Sequence, residues 1–374
     1  MRAARKPIAW TALRMLAAWL TVALIQLVPS LTRDELHQSV QGAFVSVWLL
    51  GAIIWCAFGV VHQAEALAKT LGEPVGTLVL TLSIVIIEVT LVGAVMLSSS
   101  QVPTLGRDTM FAVLMIVLNG VVGLGLLVGG LRHHLQSFNL QGASSYLALI
   151  IPLSLIALVL PNFTTSAGHG QLSLVQAVCF SLFTVLLYGL FLWLQTGRHK
   201  GFFRPLDDLD EVLVDADECL ATPRKPMWTS VAFLLLNILP IVILSKSLAR
   251  QLDAAISGLG APTALAGIIV AMVVFTPEGF SALKAVSNNQ LTRAINLCLG
   301  AAASTVGLTV PAILTIGLVT GQTVVLGLSS ANMVLLCMTL LLNTLTFSGT
   351  RTTMLEGAVH LSLFLVFIVL VFSP

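Results

Sequence analysis

The chain has 374 residues, of which 57% are hydrophobic and only 9% are charged. A soluble domain carries roughly 25% charged residues, so this composition excludes an ordinary water-soluble protein. The formal net charge of +2 is too small to indicate a nucleic-acid partner. Apolar stretches of about 20 residues recur along nearly the whole chain, which predicts a polytopic protein whose helices cross a lipid membrane.

About eleven apolar segments have the length of a transmembrane helix, and proline, glycine and polar residues separate them. The basic N-terminus is typical of a signal peptide. However, no small-residue cleavage site precedes Pro29 and further spans follow, so we expect a retained first helix. The predicted spans are residues 11–29, 42–61, 75–97, 108–131, 144–161, 171–196, 227–246, 263–285, 294–319, 323–345 and 354–373.

Lysine and arginine are distributed unevenly between the two sides of this arrangement. With a cytoplasmic N-terminus, fourteen of them fall on the cytoplasmic side and only four on the other, namely Arg33, Arg107, Lys246 and Arg250. Connections rich in lysine and arginine stay in the cytoplasm. The pattern therefore predicts a cytoplasmic N-terminus and a C-terminus on the outside.

A single long connection, residues 197–226, separates the sixth and seventh spans. Its segment 205–219 contains seven acids interleaved with leucine and valine, at a spacing that suits a short amphipathic helix on the membrane surface. Two interpretations stay open. The segment is either a solvated linker between two halves or an acidic element that senses or collects cations.

The connection leaves five spans on each side of it, after the first helix. Because five is odd, the second half starts from the opposite membrane face, which is the arrangement of an inverted-topology repeat. Val121-Val-Gly-Leu124 in the fourth span and Thr305-Val-Gly-Leu308 in the ninth differ only at the first position. The predicted fold is therefore an all-α polytopic membrane protein with a first helix and two inverted five-helix repeats. Its divisions are residues 1–34 (the first helix), 35–196 (the first repeat), 197–226 (the acidic connection) and 227–374 (the second repeat).

Two glutamates, Glu88 and Glu278, are the only acids among sixteen that sit well inside predicted spans. Each occupies the second span of its half. A charged side chain at that depth costs at least about 2.5–3.5 kcal/mol on insertion scales. A protonated glutamate can serve a structural purpose by donating a hydrogen bond to a neighbouring helix. Two acids at equivalent places in inverted halves favour a functional purpose instead.

Two carboxylates near the membrane midplane would attract a metal cation. Burial and mutual repulsion also favour protonation, so protons compete for the same oxygens. A site that holds either a cation or protons, between halves that move, is the minimal apparatus of proton-coupled exchange.

Neighbouring polar groups could complete a cation shell, because calcium takes six or more oxygen ligands. Pro277 removes the amide donor of the Val273 carbonyl, which would expose that oxygen in a broken helix. Small polar residues can also be simple packing residues, so for these positions both interpretations stay open. The remaining candidates are Ser83, Asn119, Thr276, Ser304, Thr305 and Asn343, whereas His360 is expected to be hydrogen-bonded packing.

The stretches Ser83-Ile-Val-Ile-Ile-Glu-Val-Thr-Leu91 and Pro277-Glu-Gly-Phe-Ser-Ala-Leu-Lys-Ala285 resemble the two alpha-repeats of calcium/proton antiporters. These antiporters belong to the cation/calcium exchanger superfamily, and the resemblance is to the bacterial ChaA type. Asn343-Thr-Leu-Thr-Phe-Ser-Gly349 is similar to the family's tenth helix. The resemblance implies eleven helices, two inverted repeats, an acidic helix between them, and one essential glutamate per repeat at Glu88 and Glu278.

The chain departs from many members of that superfamily. Ile84-Val85 and Val274-Phe275 stand where many members have Gly-Asn, and Ser304 stands where the ninth helix often has glutamine. ChaA-type members are associated with sodium and potassium as well as calcium. The resemblance therefore implies a bacterial inner-membrane protein that exchanges Ca²⁺, Na⁺ or K⁺ for protons.

The same residues are also compatible with other functions. A passive cation channel or a cation-sensing membrane protein could use the same two acids. The sequence shows no HExxH, P-loop or GxSxG motif, so we expect neither enzymatic activity nor a cofactor. The expected partners are inorganic cations, protons and membrane lipids.

Overall fold

A computed structural model describes residues 5–28, 40–71, 75–98, 102–203, 227–349 and 351–373. Nearly all of this part of the chain is helical, and nine of its helices are long and apolar enough to cross a membrane. The helices are α1 Arg5–Leu27, α2 Val40–Leu71, α3 Val75–Ser98, α4 Leu105–His133, α5 Leu140–Leu158, α6 Leu174–Thr196, α7 Met227–Leu259, α8 Ala264–Ser287, α9 Leu291–Thr320, α10 Ser330–Thr346 and α11 Met354–Phe372. The predicted all-α polytopic fold is confirmed. The acidic segment 205–219 lies outside the described residues.

Two helices are longer than the spans predicted for them. α2 has 32 residues and α7 has 33, so each is about 48–50 Å long at 1.5 Å per residue. The hydrocarbon core of a bilayer is only about 30 Å thick. Hydropathy predicts only the part of each helix that crosses this core. The helices continue beyond it through polar residues such as Gln63 and Gln251, which do not break a helix.

Both α4 and α9 contain a π-helical turn near the middle, at Ile116–Val121 and Thr305–Thr309. Each is the third span of its predicted half. Of the two related four-residue motifs, the first begins at Val121, the last residue of its turn, and the second, Thr305–Leu308, lies wholly within its turn. Hydropathy does not predict them. π-helical turns are uncommon and frequently occur at functional sites.

The chain divides into two compact units. The first comprises residues 1–109 and 226–277, and the second comprises residues 110–225 and 278–374. Each unit combines helices from both predicted halves: α2 and α3 with α7 in the first, and α4 to α6 with α9 to α11 in the second. The repeat boundaries at residues 34, 196 and 226 remain predictions, since they concern chain order and not packing.

In the first unit, α2 and α7 pack along each other and α3 packs on both. Fully buried Leu49, Ile53 and Val60 of α2 lie in this core. Trp19 Nε1 of α1 donates to the carbonyl of Leu236 in α7 at 3.2 Å. α3, which carries Glu88, is held in this unit by its packing on α2 and α7.

In the second unit, α4 packs closely against α11 and α9 packs against α5 and the π-helical turn of α4. A two-stranded antiparallel ribbon joins β1 (Gln136–Ser137) to β2 (Arg351–Thr352). Short 3₁₀ turns occur at Leu160–Asn162 and Lys200–Phe203. The ribbon therefore joins the residues that follow α4 to those that precede α11.

Candidate cation-binding residues

Glu88 lies in the middle of α3 and is 2% exposed. Its neighbours along the helix, including Ile87 and Leu91, are buried and apolar. The Ser83 hydroxyl donates to the carbonyl of Val79 at 2.6 Å, one turn earlier on the same helix. A hydroxyl bound in this way keeps its oxygen lone pairs, so Ser83 still has the chemistry of a cation ligand.

Glu278 lies in α8 and is 6% exposed. Pro277 directly precedes it inside the helix, but α8 runs without a break from Ala264 to Ser287. The expectation of a broken helix at this position was therefore wrong. One missing amide donor removes a single hydrogen bond, and the surrounding turns keep the helical path. The carbonyl of Val273 still lacks the amide that a residue other than proline would supply.

Thr276 is half-buried, and its hydroxyl donates to the carbonyl of Met272 on the same helix. This is the same back-bonding that Ser83 makes in α3. Ser304 of α9 follows the pattern with a 2.9 Å bond to the carbonyl of Ala301. In all three cases the hydroxyl hydrogen is used within the helix and the oxygen keeps lone pairs that a cation could share.

Asn119 is fully buried in the π-helical turn of α4, and its amide has partners at both ends. Its Nδ2 donates to Thr339 Oγ1 of α10 at 2.8 Å. Its Oδ1 lies 3.2 Å from Nδ1 of His360 in α11. The structure therefore places Asn119 in a polar cluster between three helices of the second unit.

Asn343 joins the same cluster from α10. Its Nδ2 donates to the carbonyl of Thr339 at 2.8 Å and to that of Leu118, in the π-helical turn, at 3.5 Å. Its Oδ1 is buried and has no hydrogen-bond partner among the described residues. A buried amide oxygen without a partner has a lone pair that could bind a cation.

Thr305 is buried at the start of the second π-helical turn, next to Ser304. The predicted ligands therefore fall into two groups by unit. Glu88, Ser83, Val273 and Thr276 belong to the first unit, and Glu278, Asn119, Asn343, Ser304 and Thr305 belong to the second.

Thr339 and Thr346 are cluster members that the sequence did not single out. Thr346 Oγ1 lies 3.0 Å from His360 Nε2. The spacing Thr339-x-x-x-Asn343-x-x-Thr346 places the three side chains on one face of a helix, and that pattern could have revealed them. The expectation that His360 is hydrogen-bonded within the helix packing is confirmed.

Comparison with known proteins places the chain in a family. The family model described as sodium/calcium exchanger protein matches residues 41–197 and 229–373, which together make up most of the chain. The y4hA protein of Sinorhizobium fredii is 42% identical over 87% of this chain and 87% of its own length. The sodium-potassium/proton antiporter ChaA of Escherichia coli is 37% identical over 88% of this chain and 89% of its own.

The fold also matches solved structures. The structure of native YfkE superposes with a TM-score of 0.72 at 17% identity, covering 96% of this chain and 100% of that one. At 17% identity this match shows the fold alone. The family model and the two relatives settle the assignment: this chain belongs to the sodium/calcium exchanger family and is a multi-pass membrane transporter.

Proposed function

We propose that this protein is a secondary active transporter that exchanges cytoplasmic Ca²⁺, Na⁺ or K⁺ for protons by alternating access. Glu88 and Glu278 would bind the cation in one state and protons in the other. The observation that carries this proposal is the near-complete burial of both carboxyl groups in the middle of apolar helices. Burying a charge at that depth is costly, so a carboxylate there implies a compensating cation or proton.

The other ligands of the cation would come from neutral oxygens. A transported cation must be released again, and carbonyl, amide and hydroxyl oxygens bind it without adding further charge. The amide oxygens of Asn119 and Asn343 and the carbonyl of Val273 supply such atoms. The hydroxyl oxygens proposed for the same purpose are those of Ser83, Thr276, Ser304 and Thr305.

The proposal includes both calcium and the monovalent cations because of the residues beside the two glutamates. Residues 84–85 and 274–275, just upstream of the two glutamates, are apolar where many calcium/proton exchangers carry Gly-Asn. Calcium takes six to eight oxygens, and the apolar residues at these positions supply no amide side-chain oxygen toward that number. The Escherichia coli relative is named as a sodium-potassium/proton antiporter, which supports including both monovalent cations.

The orientation proposed for the chain places the N-terminus in the cytoplasm and the C-terminus outside a bacterial inner membrane. The support is the fourteen-to-four distribution of lysine and arginine. Exchange of cytoplasmic cations for external protons in this orientation would lower the cytoplasmic cation concentration. Because the family consists of transporters, cation binding explains both buried glutamates without an enzymatic activity.

The test is cation-induced collapse of a pH gradient in proteoliposomes, measured with a pH-sensitive dye for Ca²⁺, Na⁺ and K⁺ in turn. We expect Glu88→Gln and Glu278→Gln each to abolish the signal. Glu65→Gln is the matched control, because Glu65 is only partly buried in the polar end of α2. Normal exchange by both Glu88→Gln and Glu278→Gln would contradict the proposed mechanism. Cation flux that is indifferent to the pH gradient would favour a passive channel instead.

A further inference from the structure

His360 is a fully buried ionisable side chain on α11 whose ring is hydrogen-bonded on both sides. Nδ1 faces Asn119 Oδ1 at 3.2 Å and Nε2 faces Thr346 Oγ1 at 3.0 Å. The ring therefore links the π-helical turn of α4 to the end of α10. Nothing in the proposed exchange cycle requires a histidine at this position.

The chemistry of the partners determines what each ring atom does. Asn119 Nδ2 donates to Thr339 Oγ1 at 2.8 Å, so it is the amide oxygen that faces His360. An amide oxygen only accepts, and Nδ1 must therefore carry a hydrogen. In the neutral ring Nε2 then accepts from the Thr346 hydroxyl. The Asn119 amide is held at its oxygen by His360 and at its nitrogen by Thr339.

Close helix packing brings His360 to this place. A β-carbon added to Gly123 of α4 would lie 3.0 Å from the β-carbon of His360 and 3.0 Å from the carbonyl oxygen of Gly357. One added to Gly357 would lie 2.5 Å from the backbone nitrogen of Leu127. Glycine at both positions lets the two backbones approach each other, as small residues do between membrane helices. His360 follows Gly357 by three residues and so faces α4.

We propose that His360 is a positioning residue for transport, which holds the Asn119 amide so that its oxygen stays available to the cation. This proposal rests on the proposed function, in which Asn119 supplies one cation ligand. An amide oxygen has two lone pairs, so it can accept from His360 and still bind a cation. Without the ring, the amide can rotate and present its NH₂ group, which repels a cation.

The test is a comparison of the apparent KM and the maximal rate for the transported cation in proteoliposomes. His360→Leu puts an apolar side chain of similar size in place of the ring and removes both hydrogen bonds that the ring makes. We expect the KM to rise about fivefold to tenfold, the equivalent of one hydrogen bond, with a smaller change in maximal rate. His360→Asn restores a donor near the position of Nδ1 and should recover most of the affinity. Ser362→Ala, on the same helix and bonded only to its own backbone at Ala358, is the control expected to match the wild type.

A double-mutant cycle separates this proposal from the function on which it rests. Asn119→Ala should raise the KM, and adding His360→Leu to it should have no further effect, because the ring then has no amide to hold. If Asn119→Ala raises the KM and His360→Leu does not, the positioning proposal is overturned while the exchange mechanism stands. If His360→Leu does not fold, Thr346→Val replaces it: this variant removes the hydroxyl that orients the ring at Nε2, so the KM should rise, and an unchanged KM would contradict the proposal.

Discussion

Replacement of Gly357 by alanine should separate α11 from α4 and disturb the polar cluster between them. The added β-carbon would lie 2.5 Å from the backbone nitrogen of Leu127 and 2.8 Å from the carbonyl oxygen of Gly123. Both neighbours are backbone atoms, so no side chain can turn away. Carbon makes its best non-bonded contacts at roughly 3.5–4.0 Å, and relief therefore requires a shift of about 1 Å.

Such a shift acts on stability and on the cluster together. Overpacking costs about 1–3 kcal/mol, and the better helix propensity of alanine offsets about 0.5–1 kcal/mol of it. We expect a net loss of about 1–2 kcal/mol. The bond between His360 and Asn119 is already 3.2 Å long, so a movement of that size would break it. The KM for the cation should rise along with the loss of stability.

The assay is thermal unfolding of the detergent-solubilised protein, followed by transport in proteoliposomes. Gly189→Ala is the matched control, because Gly189 lies inside α6 of the same unit and an added β-carbon meets nothing within 4 Å. We expect that variant to be slightly more stable than the wild type. Equal stability and equal KM for Gly357→Ala and Gly189→Ala would refute the argument from close packing.

Three further predictions concern other parts of the chain. Thr339→Val leaves the buried Asn119 amide nitrogen with only the weak Met115 sulfur acceptor at 3.6 Å and should cost about 1 kcal/mol in thermal stability, with a raised KM; a purely local role would leave the KM unchanged. Gln136→Ala removes bonds to the Val286 carbonyl and the Asn289 side chain at 3.2 and 2.9 Å, and should cost about 1–2 kcal/mol without changing cation affinity; a stability equal to that of the wild type would contradict it. In a cysteine-free background, His169→Cys should react with an impermeant maleimide from outside the cell and Arg198→Cys only after permeabilisation, and the reverse labelling would contradict the proposed orientation.

Hydropathy was sufficient to predict the helices because a lipid environment leaves few alternatives. The apolar patterns of residues 75–97 and 263–285 predict spans despite their glutamates, and both are helical in the structure. The burial of Glu88 and Glu278 was also predictable, since each is a single acid in an apolar segment. In these cases the prediction depends only on local sequence, because the apolar residues of a segment determine both that it forms a helix and that it is buried in lipid or protein.

Other features depend on contacts that no local pattern reveals. Asn119 and His360 are 241 positions apart, and only the packing of α4 on α11 joins them. The π-helical turn at Ile116–Val121 contains no residue type that requires it, so hydropathy and helix propensity do not predict it. The sequence also does not predict that α8 continues through Pro277. The hydrogen bonds of the turns on both sides keep the helix intact although one bond is lost.

The central claim is that protons and the cation compete for the same two carboxyl groups, Glu88 and Glu278. The most direct measurement is the apparent KM for each cation in proteoliposomes as a function of pH on the cation-binding side. Competition predicts that the KM rises as the pH falls, with a slope of log KM against pH that approaches −2 for two competing protons. A KM that is independent of pH in the wild type would contradict the account.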